Sequence, residues 1–273
     1  KTMKTLITHI NPHLDDIAAI WLFKKFHPDF DSAEMDFVSQ SVGTLTAEDD
    51  ENKVYLGVGR GKFDEHKGDL DDCAASLVWK FLKEQKLVQS DDAIAGALEE
   101  IVDWVRLGDT GRLPKQEYDD FSIPAFIRPS GNSKEDSLKA AELGIEILDR
   151  VLKVLTRKHR AQKDWGNRKE FESKFGKAYA ISSEFVDRAF CKSKSDANLY
   201  LMVDPKSKHV QYFTPYFEID LEPIYKKVKE LDPEASWFLH QSHHMVICGS
   251  GSAPDSKPTK LTMSELVKAA QDA

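Results

Sequence analysis

Cysteines and long hydrophobic runs are both scarce in this sequence. Only three cysteines occur in 273 residues, at positions 73, 191 and 248, and no two of them have C-x-x-C spacing. This argues against a disulfide framework or a cysteine zinc site and predicts a reducing, cytoplasmic location. No apolar stretch approaches the ~20 residues that a membrane-spanning helix needs, so we expect no membrane partner.

Positive charge is also in short supply. Lys and Arg total 38 against 46 Asp and Glu, which gives a net charge of −8. The chain therefore lacks the general basic character of proteins that bind nucleic acid or anionic membranes, although a local basic groove stays compatible with it.

Two common catalytic fingerprints are missing as well. The stretch "GVGRG" (57–61) lacks the full dinucleotide-binding pattern and runs into a predicted strand, whereas that pattern should open a helix. No G-x-S-x-G elbow for a serine nucleophile occurs.

The hydrophobic pattern changes character along the chain. Up to residue 109, predicted strands (4–8, 35–40, 53–59 and a short one within "KFDEH") alternate with predicted helices (15–27, 73–85 and 91–109). This alternation is typical of a parallel α/β sheet. A loop at 110–134 and a helix at 136–162 precede a set of short strands, a hairpin and helices.

We therefore predict an α/β protein with two domains joined by a long helix. The first is a parallel-sheet, Rossmann-like domain (1–130), and a connector helix occupies the next segment (131–174). A smaller α+β domain (175–273) completes the chain and is expected to close over the first.

The turn after the first strand concentrates possible metal ligands. In "THINPHLDDIAA", His9, His13, Asp15 and Asp16 fall within eight residues around Pro12. A turn at the carboxyl edge of a parallel strand is where α/β proteins gather ligands. Imidazole and carboxylate suit Mn²⁺, Zn²⁺ or Fe²⁺. The alternative is that the two aspartates only cap the helix.

Two later segments extend this pattern. "KFDEHK" places Asp64, Glu65 and His66 in a loop after the third strand, and Asp109 lies at a helix end in "VRLGDTG". Each could instead be an ordinary polar turn. Several such groups at one predicted sheet edge favour a shared cation site over coincidence.

These segments resemble a known family. "THINPHLDD" is similar to the first motif of the DHH phosphoesterase superfamily, "KFDEHK" to its Asp-His-His motif, and "VRLGDTG" to its fourth motif. With "YLGVG" and "AASLVWKFL", the order of segments over 4–112 most resembles the MYG1-like branch. The sequence departs from the family at His13, at Glu65 and at Gly57, where the family has the Asp that bridges two metals.

The resemblance implies metal-assisted hydrolysis of a phosphoester. It implies one or two divalent ions, with Mn²⁺ expected, and a small phosphorylated substrate such as a nucleotide or short nucleic acid. The implied metal ligands are His9, His13, Asp15, Asp64, His66 and Asp109, and the implied catalytic groups are Asp16, Glu65 and His66. Two alternatives stay open: a binding protein that has lost two-metal chemistry, or single-metal hydrolysis of a non-phosphate substrate.

The segment "HQSHHMVICGSGS" (240–252) resembles the Gly-rich loop that ends the second domain of such enzymes. The expected substrate-binding residues are His243, His244, Gly249, Ser250 and Gly251. Glycines let backbone N–H groups approach an anion, and serine and histidine add donors. Arg60, beside the "DEH" loop, is a further candidate for a phosphate contact. The alternative for the whole segment is a flexible loop.

Overall fold

The chain forms two compact units, residues 1–156 and 157–273. The structure, a computed structural model, describes residues 3–40, 45–68, 71–88, 91–115, 117–194 and 196–273. The division falls inside one long helix, within the segment 131–174 that the sequence predicts as a connector. Each unit has its own sheet and its own hydrophobic core, so each is described by itself.

The first unit contains a three-stranded parallel sheet with the order β2-β1-β3. The strands are β1 (Thr5–His9), β2 (Glu34–Val38) and β3 (Lys53–Tyr55). In β1 the alternating residues face opposite sides of the sheet, with Leu6 in the main core and Ile7 in a small cluster on the other face. The parallel sheet predicted for this half is therefore confirmed.

Helices cover the main core of the first unit. They are α1 (Leu14–Phe26), α2 (Ala74–Glu84), α3 (Asp92–Asp109), the short α4 (Ile123–Phe126) and α5 (Lys134–Trp165). Helix α3 is capped by Asp91, whose side chain accepts a hydrogen bond from the backbone N–H of Ile94. Helix α5 packs closely on α1 at Gly144, where a Cβ atom would lie 2.7 Å from Ile17.

Two local predictions were wrong. "KFDEH" is not a strand beyond one isolated bridge between Leu56 and Phe63. It forms instead a 3-10 turn (Glu65–Lys67), because the Asp64 side chain accepts from the backbone N–H of His66 and caps that turn. The predicted loop at 110–134 also contains a 3-10 turn (Asp119–Phe121) and α4.

The second unit is built on a six-stranded mixed sheet with the order β4-β5-β6-β7-β9-β8. Its strands are β4 (Lys169–Ser173), β5 (Gly176–Ser182), β6 (Leu199–Val203), β7 (Val210–Phe213), β8 (Trp237–Leu239) and β9 (Met245–Cys248). Its further helices are α6 (Arg188–Lys194), α7 (Glu222–Leu231) and α8 (Met263–Asp272). The predicted α+β character and the β6–β7 hairpin are confirmed.

Both faces of this sheet are covered. Ala178 and Ala180 of β5 face a core that includes residues of α7 and α8. The intervening Tyr179 faces a second core with Trp165 of α5 and Cys191 of α6. The charged C-terminal end of α5 thus supplies one buried aromatic side chain, Trp165, to this core.

Within the part of the chain that the structure describes, every helix is too short or too polar to cross a lipid bilayer.

A polar bond ties α5 to α1 and can be tested. Asp149 accepts hydrogen bonds from the buried indole N–H of Trp21 at 2.9 Å and from Lys25 at 2.7 Å. We expect Asp149→Ala to lower the free energy of unfolding by about 1–3 kcal/mol, because it leaves the indole N–H without its partner. Glu146→Ala, one turn away in an exposed pair with Arg150, is the control and should cost at most about 0.5 kcal/mol.

The loss of unfolding free energy caused by Asp149→Ala should also depend on pH. Burial raises the pKa of Asp149, but the hydrogen bonds from Lys25 and Trp21 outweigh it and hold the pKa below its usual value. A group with a depressed folded-state pKa stabilises the fold above the unfolded value of about 3.9, and this contribution is lost as pH falls through the folded value. Urea titrations should therefore show the gap between wild type and Asp149→Ala narrowing below about pH 4, and a gap that widens there would contradict the assignment.

Candidate functional site: a polar cleft at the carboxyl edge of the parallel sheet

The first unit has a cleft of about 590 Å³ where the parallel strands end. It gathers predicted site residues from the turn after β1, the "DEH" loop and the end of α3. Those that line it are His9, His13, Asp15, Asp16, Glu65, His66 and Asp109. Asp64 and Arg60, also predicted, are not among the lining residues. Side chains distant in sequence thus meet in one crevice.

Asp16 is buried and fixed by the elements around it. Its Oδ1 accepts from the Thr8 hydroxyl at 3.1 Å, and its Oδ2 accepts from the backbone N–H of His13 at 2.9 Å. The same Oδ2 lies 3.0 Å from Nε2 of His9. A Cβ atom at Gly57 would lie 2.2 Å from Oδ1. The missing side chain at 57 therefore leaves the space that the Asp16 carboxylate occupies.

Both ring nitrogens of His9 have partners. Nδ1 lies 2.8 Å from the carbonyl oxygen of Ile10, and Nε2 faces Asp16. Burial lowers the pKa of His9, but the hydrogen bond and the charge of Asp16 outweigh it and raise the pKa to about 9. The carbonyl of Ile10 orients the ring so that Nε2 points into the cleft.

His13, Asp15 and Asp109 form an open group at the mouth of the cleft. Each offers a ligand atom, and these atoms lie within 4.8 Å of one another. Asp15 is 4% exposed, and its Oδ1 has no hydrogen-bond partner among the described residues. Burial, followed by the negative charges of Asp16 and Asp109, raises the pKa of Asp15 well above its usual value.

The "DEH" loop presents one imidazole and one carboxylate. Asp64 Oδ2 accepts from the backbone N–H of Arg60 at 2.6 Å, and Oδ1 lies 2.7 Å from Nδ1 of His66. This pairing orients His66 and leaves Nε2 as its free ring nitrogen. Glu65 Oε2 is buried without a partner in the described part of the chain. Burial is the largest cause that raises the pKa of Glu65.

The cleft therefore contains more negative charge than the protein itself neutralises. The orphaned oxygens of Asp15 and Glu65 are costly to bury as anions unless a positive charge meets them. Burial, then the charge of Asp15, also raises the pKa of the Cys73 thiol to about 12. Nitrogen and oxygen donors of this kind fit a borderline or hard divalent cation.

Some lining residues escaped sequence reasoning. Gln40 follows β2, Thr110 follows α3, and Asp72 precedes α2. Asp72 accepts from the Ser76 hydroxyl at 2.7 Å and from Lys80. The sequence signal that could have identified them is their position next to the ends of predicted strands and helices at this edge of the sheet.

The predicted substrate residues of the second unit fall at the two ends of β9. His243 and His244 precede the strand: His243 Nδ1 lies 2.9 Å from Asp220, and His244 Nε2 lies 3.1 Å from the carbonyl oxygen of Phe217. Gly249, Ser250 and Gly251 follow it. Four strand residues at about 3.3 Å each separate the groups, so the histidines and the Gly-rich turn do not form one compact anion site.

The contact between Gly57 and Asp16 can be tested by substitution. We expect Gly57→Ala to reduce the free energy of unfolding by about 2 kcal/mol more than Gly111→Ala, through steric conflict. Both glycines have nearly the same backbone angle, φ +65° and +67°, but nothing lies within 4 Å of a Cβ at Gly111. The control thus isolates the backbone strain of about 1–2 kcal/mol.

A double-variant cycle gives the decisive comparison. In an Asp16→Ala background, the cost of Gly57→Ala should fall to that of Gly111→Ala, because the obstructing carboxylate is gone. Equal costs of Gly57→Ala in the two backgrounds, measured by urea unfolding, would disprove the steric relation.

The chain is similar to a DHH-domain structure from a member of the S1p family of ribosomal proteins, with a TM-score of 0.34 and 12% identity. The match covers 99% of this chain and 86% of that one. No family model and no curated protein matches the sequence. A likeness this weak carries no functional weight, so function has to be judged from the residues of the cleft.

Proposed function

We propose that this protein is a metal-dependent phosphoesterase that hydrolyses a nucleotide or a short oligonucleotide. The observation that supports this most is the pair of buried, unpartnered carboxylate oxygens of Asp15 and Glu65 in a cleft that also holds imidazoles. We further propose that the chain is a MYG1-like member of the DHH superfamily with a degenerate second metal motif, as its motifs suggest.

A first cation would be held by His13, Asp15 and Asp109. Their ligand atoms cluster within 4.8 Å, and the orphaned Asp15 Oδ1 needs a positive partner. The group of His9, His13 and Asp16 is another candidate, but there His9 and Asp16 already bond each other at 3.0 Å. One ion, with Mn²⁺ the expected metal, would therefore bind at the first group, and a second ion would have to break the His9–Asp16 pair.

A bound divalent cation would polarise a phosphoryl oxygen and lower the pKa of water. The residues of the "DEH" loop supply the proton transfers. Glu65 accepts a proton from the attacking water at its free carboxylate oxygen. As the phosphorus–oxygen ester bond breaks, His66 Nε2 gives a proton to the leaving oxygen, and Asp64 stabilises the imidazolium through Nδ1. The products are a phosphate and an alcohol.

The substrate phosphate needs donors as well. In the first unit, Arg60 is the proposed donor. The Gly249–Gly251 turn of the second unit is proposed, by itself, as an anion-binding turn. Gly249 has φ +82°, and its missing side chain leaves room for the His209 ring, since a Cβ would lie 2.5 Å from Cδ2. His243 and His244 remain candidates for a separate polar contact.

One observation favours a second candidate function, that of a non-catalytic binding protein. Gly57 offers no carboxylate, and Asp16 is committed to Thr8, His9 and the backbone of His13. Neither position 57 nor Asp16 therefore offers a free carboxylate to bridge two ions. The cleft could bind a nucleotide or another ligand without cleaving it.

Metal binding tests the proposal directly. Isothermal titration with Mn²⁺ should show one tight site, and Asp15→Asn and Asp109→Asn should each weaken it by about 100-fold or more, because each removes an anionic ligand. Cleavage of bis-p-nitrophenyl phosphate and short oligonucleotides should be lost in parallel. Asp103→Asn is the matched control: it lies in the same helix as Asp109 and pairs with Arg106 at the surface, so it should leave both measurements unchanged.

Three results would count against the proposal. Wild-type affinity for Mn²⁺ in Asp15→Asn would disprove the ligand assignment, provided that circular dichroism shows an intact fold. Failure to bind Mn²⁺, Zn²⁺ or Fe²⁺ at all would disprove the cation site. Nucleotide binding without cleavage, with or without metal, would support the binding protein instead.

A further inference from the structure

A second cavity in the first unit adjoins the polar cleft. It measures about 990 Å³, within the range of cavities that hold small molecules. The two share His13, Asp15 and Asp109 as lining residues. One molecule could therefore place its reacting group in the cleft and the rest of its structure in this cavity.

The walls of the two spaces differ in chemistry. Carboxylates and imidazoles are the main lining of the polar cleft. The adjoining cavity also has polar lining, but Leu14, Trp104, Leu113 and Ile127 line it along with several prolines. Apolar walls of this kind stabilise uncharged groups by removing them from water. Flat rings also stack on an indole such as that of Trp104.

Acidic groups outnumber basic ones at the cavity. Lys115 and Arg128 line it together with four aspartates, at positions 15, 109, 119 and 120. This excess of carboxylates disfavours an anion in the cavity. The uncharged part of a ligand is therefore the part that suits it.

Hydrogen bonds hold the cavity in shape. Asn11, which has a positive φ of 60°, donates from its side chain to Asn132 at 2.7 Å, and its backbone N–H donates to Ser137 at 3.0 Å. These bonds tie the turn after β1 to Asn132 and to the first turn of α5. The cavity is thus formed before a ligand enters, which lowers the entropic cost of binding.

We propose that this cavity binds the uncharged ring portion of the substrate while the phosphate lies in the adjoining cleft. The proposal rests on the phosphoesterase function proposed above and adds a specificity site to it. It assigns selectivity for the leaving group to Leu113 and Trp104 of the first unit.

Inert phosphonates separate binding from chemistry. We would measure the Kd of 1-naphthylphosphonate and phenylphosphonate by calorimetry in the presence of Mn²⁺. Because the second ring adds apolar area, the wild type should bind the naphthyl compound about 10-fold more tightly. Leu113→Ala should reduce this preference to about 3-fold or less, and Leu113→Trp, which places a bulkier side chain where the second ring would lie, should also reduce it.

Phe126→Ala is the control, since Phe126 is 57% exposed on the same segment and does not line the cavity. It should keep the wild-type preference. Equal affinity of the wild type for both phosphonates, binding of neither, or an unchanged preference in both Leu113 variants would overturn the proposal.

The assay distinguishes the two proposals. A naphthyl preference that depends on Leu113, without any cleavage of bis-p-nitrophenyl phosphate, would retain the ring site and disprove the phosphoesterase. Cleavage of that ester together with equal phosphonate affinities would retain the phosphoesterase and disprove the ring site.

Discussion

The burial of the Asp16 carboxylate is the constraint on which the rest of the first unit depends. This one side chain holds the hydroxyl of Thr8 in β1, the backbone of the following turn and the ring of His9. It fits only because β3 is followed by Gly57. A buried carboxylate is tolerated when hydrogen bonds replace its water, and here those bonds fix the end of β1 and the turn that follows it, which form one side of the cleft.

This arrangement divides the first unit into regions of different polarity. Carboxylates and imidazoles gather where parallel strands end, because strand ends and helix starts bring loops from distant parts of the chain to one edge. Beyond Asp109, the segment that follows α3 contributes apolar side chains, with Trp104, to the adjoining cavity. The proposed substrate, with a charged group and an uncharged ring, would match these two regions.

Periodicity in the sequence predicted the larger elements well and the short ones poorly. Helices α1, α2 and α3 lie within about two residues of their predicted positions. The apolar faces of α2 and α3 repeat at helical spacing, whereas α1 is an almost continuously buried helix that ends before Pro28. The prediction of a strand in "KFDEH" was wrong. The Asp64 side chain accepts a hydrogen bond from the backbone N–H of His66, and this bond favours a 3-10 turn over an extended chain. Local capping of this kind leaves no periodic trace in so short a segment.

The sequence by itself determined the parallel sheet, the two-part organisation and the residue types that meet in the cleft, because these follow from hydrophobic period and motif spacing. Only the tertiary structure decided which oxygens are free. Asp15 and Asp16 are neighbours of the same type, yet Asp16 is fully bonded while Asp15 keeps an orphaned oxygen. That difference depends on which segments pack against each side chain, namely Thr8, His9 and the space at Gly57, and no local pattern encodes a contact between positions 16 and 57.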